Sequence, residues 1–497
     1  QARMLRGSVL LLLCVATVAA TEYTAAVIQA QRMKGNTAAE ILKNNLDHLE
    51  LFVAKAAAGG AQIVVFPEQA LGCNDLSREK NAALAEDIPD GSAHVTPCTE
   101  SKDFCESRPA LCAASCMARK YQTVLVVAMN DRKNCTAHHC HSDGQLIYNT
   151  AVALDESGKL LARYHKAHIV TPFPVYDVPL VPEVVTFNTS FGVEFGMFIC
   201  FDILWPEPQT SLMKRGITNI VFPTSWTNLP PILLATEVQQ AWSRQRGANL
   251  LASNNAASRA TSGSGIWHDG ADLSSFFDPT KKKGDDEALL IANVTATPSP
   301  RSSLPSPPTV NDAPVSQGLM DESLKCGLVG ADKCHCSFLD PKQAKARIQA
   351  THKSLTCTLD YELPTNSSVD SSEVHALVAF SGTAWFLQPL PIEICAFMRC
   401  ASPDACILPD VWLNPSKLRT AREFSSFAIS GTFGGSVRPE ESEFFYPVVS
   451  GDDAKPWSVS SVDFHPGKKA TLVSKFSAPS PVLNAAILAR VWNMTTP

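Results

Sequence analysis

Three side chains in the first half of this 497-residue chain pair reactive chemistry with one kind of setting. Glu68 follows the apolar run Gln62 to Phe66 and Pro67. Lys166 stands in Ala162-Arg-Tyr-His-Lys-Ala-His168, and Cys200 closes Glu194-Phe-Gly-Met-Phe-Ile. Each lies at or just past the end of a strand-like segment, where side chains of helix-covered sheets project into the clefts that become sites. The chemistry open to such a set is that of a sulfur nucleophile with charged helpers. Each member alone also has a plain structural explanation: a solvated turn for Glu68, a surface position for Lys166, packed core for Cys200.

The elements needed to position these groups are legible around them. Tyr23 to Gln29 reads as a strand. Thr37-Ala-Ala-Glu40 is a capping box, opening a helix with Leu42, Leu46, Leu49 and Val53 on one stripe and Gly59-Gly60 at its end. Gln62 to Phe66 is then a short apolar strand. The pattern recurs: Phe195 to Ile199 strand, Pro206 to Lys214 helix, Asn219 to Phe222 strand, Leu233 to Arg246 helix, Leu250 to Ser253 strand. Uninterrupted apolar strands separated by helices place the domain in the α/β class, with a sheet covered by helices.

Length points to two or three domains. A net charge of −6 gives no basic field for nucleic acid. Arg3 and Arg6, the apolar run Val9 to Val15 and the small residues Val18-Ala19-Ala20 read as a secretory signal peptide over residues 1–20. No later run suits a transmembrane helix, and the terminal Arg490-Val-Trp-Asn-Met-Thr-Thr-Pro497 does not read as a GPI signal. A secreted, extracellular protein is the expectation. Sixteen cysteines, less Cys14 in the leader, leave an odd fifteen, so one lacks an intramolecular partner. Asn134, Asn188, Asn293, Asn366 and Asn493 are glycosylation sequons.

Six cysteines between Cys98 and Cys140 mark a disulfide-tied excursion, a reading preferred to a metal site at His138-His139-Cys140-His141 because adjacent residues converge poorly on one ion. Residues 298–318 form a Pro/Ser-rich linker between a catalytic unit at 21–297 and a β-rich, disulfide-bonded domain at 319–497. In that second domain Ala376 to Phe380, Thr383 to Leu387 and Phe427 to Phe433 read as short β runs. Cys334-His335-Cys336 reads as disulfide material, not zinc ligands. No metal or cofactor is expected.

The motifs Phe66-Pro-Glu-Gln69, Arg163-Tyr-His-Lys166, Phe195-Gly-Met-Phe-Ile-Cys-Phe-Asp-Ile-Leu204, Asn219 to Trp226 and Thr261 to Ile266 resemble, in order and spacing, the nitrilase superfamily over about Tyr23 to Thr297. Within it the chain is similar to the vanin and biotinidase branch, which carries a second domain behind the first. The resemblance implies a nitrilase-type α-β-β-α sandwich and hydrolysis of a linear carbon–nitrogen amide. It implies Glu68 as general base, Lys166 as stabiliser of the oxyanion and Cys200 as nucleophile. The implied substrate is a small-molecule amide: pantetheine first, a biotinyl amide as the alternative. If Cys200 stays reduced, fourteen cysteines remain for disulfides. Phe201 and Trp226 are candidate pocket walls, Trp226 being equally readable as core.

One departure stands out. Relatives commonly carry a second glutamate shortly after the lysine, and here Phe173 occupies that place, leaving Asp177 or Glu183 to substitute. A papain-like protease is disfavoured because Cys200 lacks the CG[SA]C[WY] context. A catalytically silent binding protein of the same fold is the remaining alternative.

Overall fold

The computed structural model describes residues 21–72, 77–136, 140–170, 175–229, 233–257, 260–278, 281, 284–297, 334–340, 342–364, 373–385, 389–400, 422–433, 445–450, 461–465, 469–482 and 484–490. The leader, the linker, His138, His139, Phe173, Asn366 and Asn493 lie outside them.

The first domain is built from two sheets. The chain first lays down β1 (Glu22–Gln29), β2 (Ile63–Val65), β3 (Ala85–Glu86), β4 (Val124–Asn134), β5 (Gln145–Leu154) and β6 (Leu160–His165). It then forms β7 (Thr186–Asn188), β8 (Glu194–Met197), β9 (Asn219–Pro223), β10 (Asn249–Ser253), β11 (Ser264–His268) and β12 (Ala271–Phe276), and returns as β13 (Ala288–Thr295). The first sheet runs β13-β1-β2-β4-β5-β6 with β3 on β4, and the second runs β12-β11-β10-β9-β8-β7. In each, three central strands are parallel: β1, β2 and β4, and β8, β9 and β10. Such strands are buried on both faces, which explains runs like Ile63-Val64-Val65 that show no polar alternation.

One buried cluster joins the inner faces of the sheets through Val27, Val65, Val126, Phe195, Ile220 and Leu251. A second, with Ala26, Val64 and Leu125, packs beneath the helices Ala38–Ala58 and Pro109–Tyr121. Two facing sheets with helices outside make the α-β-β-α sandwich. The helix Ala38–Ala58 starts where its cap signal places it: the Thr37 hydroxyl accepts from the Glu40 N–H at 3.2 Å. The carboxylate of Glu40 takes the Asn36 N–H at 2.8 Å. Leu49 and Val53 are buried, while Leu42 and Leu46 pack at the rim.

Disulfides Cys98–Cys116, Cys105–Cys112 and Cys135–Cys140 tie the cysteine-rich excursion. The second domain consists of two five-stranded antiparallel sheets. Cys357 on Leu355–Glu362 is bonded to Cys395 on Pro389–Cys400, linking one sheet to the other. Cys336 and Cys400 are each in a disulfide as well. The expected separate runs at Ala376 and Thr383 prove to be one strand, Val374–Trp385, because the hairpin with Pro389–Cys400 pairs continuously through Ser381 and Gly382. Among the described residues no helix is long and apolar enough to cross a membrane.

Candidate active site

The two sheets meet at their strand ends, and the reactive groups lie at that seam. Glu68 follows β2, and its N–H donates to the carbonyl of Thr224, just past β9, at 3.2 Å. The amide of Asn255, just past β10, donates to the Glu68 carbonyl at 3.1 Å. Lys166 extends β6, where its N–H donates to the Asn149 carbonyl at 2.8 Å. Cys200 opens a 3₁₀ turn, Cys200–Leu204, three residues past the end of β8. Its φ of 47° makes the turn sharp and lies in the left-handed region that non-glycine residues rarely occupy.

The structure brings the three groups together. The ammonium of Lys166 donates to Glu68 Oε1 at 2.6 Å, and the Asn149 amide donates to the same oxygen at 2.7 Å. Cys200 lies close enough to this carboxylate for each to feel the other's charge. Glu68, Lys166 and Cys200 are all buried, and Cys200 is reduced.

Electrostatics follows from that geometry. Burial alone favours the neutral acid at Glu68. The charge and hydrogen bond of Lys166, together with nearby Cys200 and the Asn149 amide, outweigh it, holding the carboxyl below its usual range. Burial likewise opposes the charge on Lys166, but Glu68, with Cys200 and Asp202, raises its pKa above that of ordinary lysine. The pair is therefore ionic. The Cys200 thiol is pushed up to about 12, by burial first and by the Glu68 charge second, against weaker help from Lys166, Thr224 and Ser225. The resting sulfur is a thiol, and it becomes a competent nucleophile only when a base takes its proton.

The other candidates are placed less centrally. Trp226 is buried, its N–H bonded to Asn254 and its indole N–H to the Leu233 carbonyl, each at 2.9 Å. Phe201 is buried with its ring edge-on to Trp205, centroids 6.1 Å apart. Asp177 binds Arg78 at 2.9 Å, His141 at 2.7 Å and the Ile147 N–H at 2.6 Å. Glu183 binds the His165 ring at 3.1 Å and its N–H at 2.9 Å. Glu183 thus holds His165 beside Lys166, Asp177 ties its own segment to Arg78, His141 and β5, and the bond to the Lys166 ammonium comes from Glu68. Asn149 and Thr224 escaped sequence reasoning. Asn149 has no motif around it, and Thr224, though inside the Asn219 to Trp226 motif, is like any polar residue near a strand end in carrying no signal of which carboxylate or thiol it will face.

Residues 24–255 match the family described as carbon-nitrogen hydrolase, and residues 332–495 match the vanin C-terminal domain. The chain is 31% identical to a pantetheinase of Bos taurus over 460 residues, covering 91% of this chain and 84% of that protein. It is 32% identical to a biotinidase of Takifugu rubripes over 389 residues, covering 73% and 74%. An amidase from Nesterenkonia sp. superposes with a TM-score of 0.40 at 19% identity, over 56% of this chain and 93% of the amidase. By the two family matches and the likeness to the pantetheinase and biotinidase, the chain belongs to the vanin and biotinidase branch of the nitrilase superfamily and is a carbon–nitrogen amide hydrolase.

Proposed function

We propose that the protein hydrolyses pantetheine to pantothenate and cysteamine through a thioester on Cys200. The observation that carries this reading is one buried carboxylate bonded by a lysine ammonium at 2.6 Å, with the reduced, buried thiol of Cys200 beside the pair. In the proposed reaction Cys200 Sγ attacks the amide carbon while Glu68 accepts the thiol proton. Charge develops on the former carbonyl oxygen, where Lys166 and the backbone N–H of Phe201 stabilise it. The C–N bond breaks, Glu68 returns its proton to the leaving amine, and an acyl thioester remains. Water gives a proton to Glu68 and adds to the thioester, and Cys200 leaves, to be reprotonated. Electrons and protons balance without an external oxidant or cofactor.

Pantetheine is favoured over a biotinyl amide because similarity to the pantetheinase spans 91% of this chain, against 73% for the biotinidase. We read 21–297 as the catalytic domain and 319–497 as a vanin-type base domain. Secretion is supported by the disulfides, and Asn134, Asn188 and Asn293 are exposed, as glycosylation requires. The test is amine release from a pantetheine amide and from a biotinyl amide of a reporter amine, for wild type and Cys200→Ser. Release from the pantetheine amide should fall by about 10³-fold or more in Cys200→Ser. Undiminished release would remove the mechanism. No release from either amide would favour a silent binding protein.

A further inference from the structure

We infer that Asp202 is a positioning residue that locks the Cys200 turn and the Lys166 segment into one arrangement, an inference that rests on the Glu68–Lys166–Cys200 reading. Its carboxylate is fully buried and touches neither Glu68 nor the sulfur, so the proposed chemistry makes no direct use of it. A buried carboxylate needs donors, and those it has are distributed in a telling way. Oδ2 accepts the Ile199 N–H at 3.0 Å, while the Asp202 N–H donates to the Ile199 carbonyl at 3.0 Å. These reciprocal bonds close a ring around Cys200, the one residue of the turn in the left-handed region. The same Oδ2 accepts the Tyr164 hydroxyl at 2.8 Å. Oδ1 accepts the N–H of His168 at 2.8 Å and faces its Nδ1 at 2.8 Å.

Tyr164 and His168 stand two residues before and two residues after Lys166. One carboxylate therefore holds the turn that aims the sulfur and both sides of the lysine that stabilises the oxyanion. Its own position is fixed from behind. Gln209 donates to the Asp202 carbonyl at 2.7 Å and to the Trp205 carbonyl at 2.6 Å, and the Trp205 ring stacks on His168 with centroids 4.3 Å apart.

A second consequence concerns charge. When Glu68 takes the thiol proton it becomes neutral, and Lys166 loses the counter-charge that sits 2.6 Å away at rest. Asp202 takes no part in that proton transfer, and its carboxylate favours the Lys166 ammonium from outside the reacting set.

The experiment is the pH profile of amide hydrolysis in Asp202→Asn. The expected result is a kcat about ten-fold lower or less, KM within about three-fold, and an alkaline limb moved to lower pH as Lys166 loses support for its charge. An unchanged profile overturns the inference, and so does equal loss in kcat and thermal stability with no movement of the limb. If that variant does not fold, Tyr164→Phe removes one donor and no charge. A kcat lowered about three-fold at unchanged KM upholds the inference, and an unchanged kcat overturns it. If wild type cleaves neither reporter amide, the catalytic reading has failed independently. The rate of Cys200 alkylation by iodoacetamide, followed by peptide mass, then decides the positioning claim: a change of about five-fold in Asp202→Asn upholds it and equal rates overturn it.

Discussion

Glu68 and Lys166 each stay charged in a buried site because of the other, so removing one strands its partner. Breaking a buried pair in this way costs about 3–5 kcal/mol, while replacing both members is often close to neutral. Glu68→Gln and Lys166→Met should each destabilise the protein by about that amount, and the double variant should recover much of the loss in calorimetric melts. Strict additivity would show that the two side chains are not coupled. The pH dependence has a definite sign. Glu68 is depressed, so its contribution is complete above the ordinary carboxylate pKa and fades as pH falls through the lower folded value. Lys166 is raised, so its contribution is complete below the ordinary lysine pKa and fades only as pH rises through the higher folded value. The pair holds through the neutral range. At this scale the strand-end settings singled out Glu68, Lys166 and Cys200 as candidates, and the resemblance of their flanking motifs joined them into one set. Asp202 was hidden, since a carboxylate inside Phe-Asp-Ile-Leu-Trp reads as an interruption and its donors lie 34 and 38 positions away.

Among the elements, β6 needs the most external support, because it is an edge strand that carries Lys166 at its end. His165 supplies much of that support. It is buried between Asp131 on β4, at 2.8 Å, and Glu183 on the segment before β7, at 3.1 Å, and it stacks on Tyr148 of β5 with centroids 4.2 Å apart. Arg163 and Lys133 also approach Asp131, at 3.7 and 3.0 Å. Burial works against a charged ring, but the two carboxylates prevail and raise the His165 pKa. A raised value means that the stabilisation is complete below the unfolded histidine pKa and is lost as pH rises through the folded one. The melting temperature of wild type should therefore drop more steeply than that of His165→Gln between about pH 6 and pH 9. Parallel curves would exclude the histidine as the cause. The strands and helices themselves were largely readable, since cap, stripe and apolar run agree at Thr37, Leu49 and Ile63. His165 was not, because Leu-Leu-Ala-Arg-Tyr-His shows no alternation to distinguish an inward ring from a surface one.

For the molecule as a whole, the second domain shares a core with the first. Val378, Phe380 and Ile394 belong to the same buried cluster as Phe195 and Trp242. The shift to proline and serine after Thr297 revealed that two domains exist. It gave no hint that they would pack together, since an apolar strand face does not name what covers it. A chain ending at residue 297 should expose that face and self-associate, which light scattering and size exclusion would report; a monodisperse, fully active fragment would refute the shared core. A further consequence follows from β13, which pairs antiparallel with β1 from Glu22 opposite Thr295 to Gln29 opposite Ala288. On the ribosome the earliest strand emerges long before the partner that covers its open side, so the nascent polypeptide carries a bare hydrogen-bonding edge through most of its synthesis. The same closure returns the main chain to its point of entry, so the later module hangs from a seam already zipped, with nothing to thread.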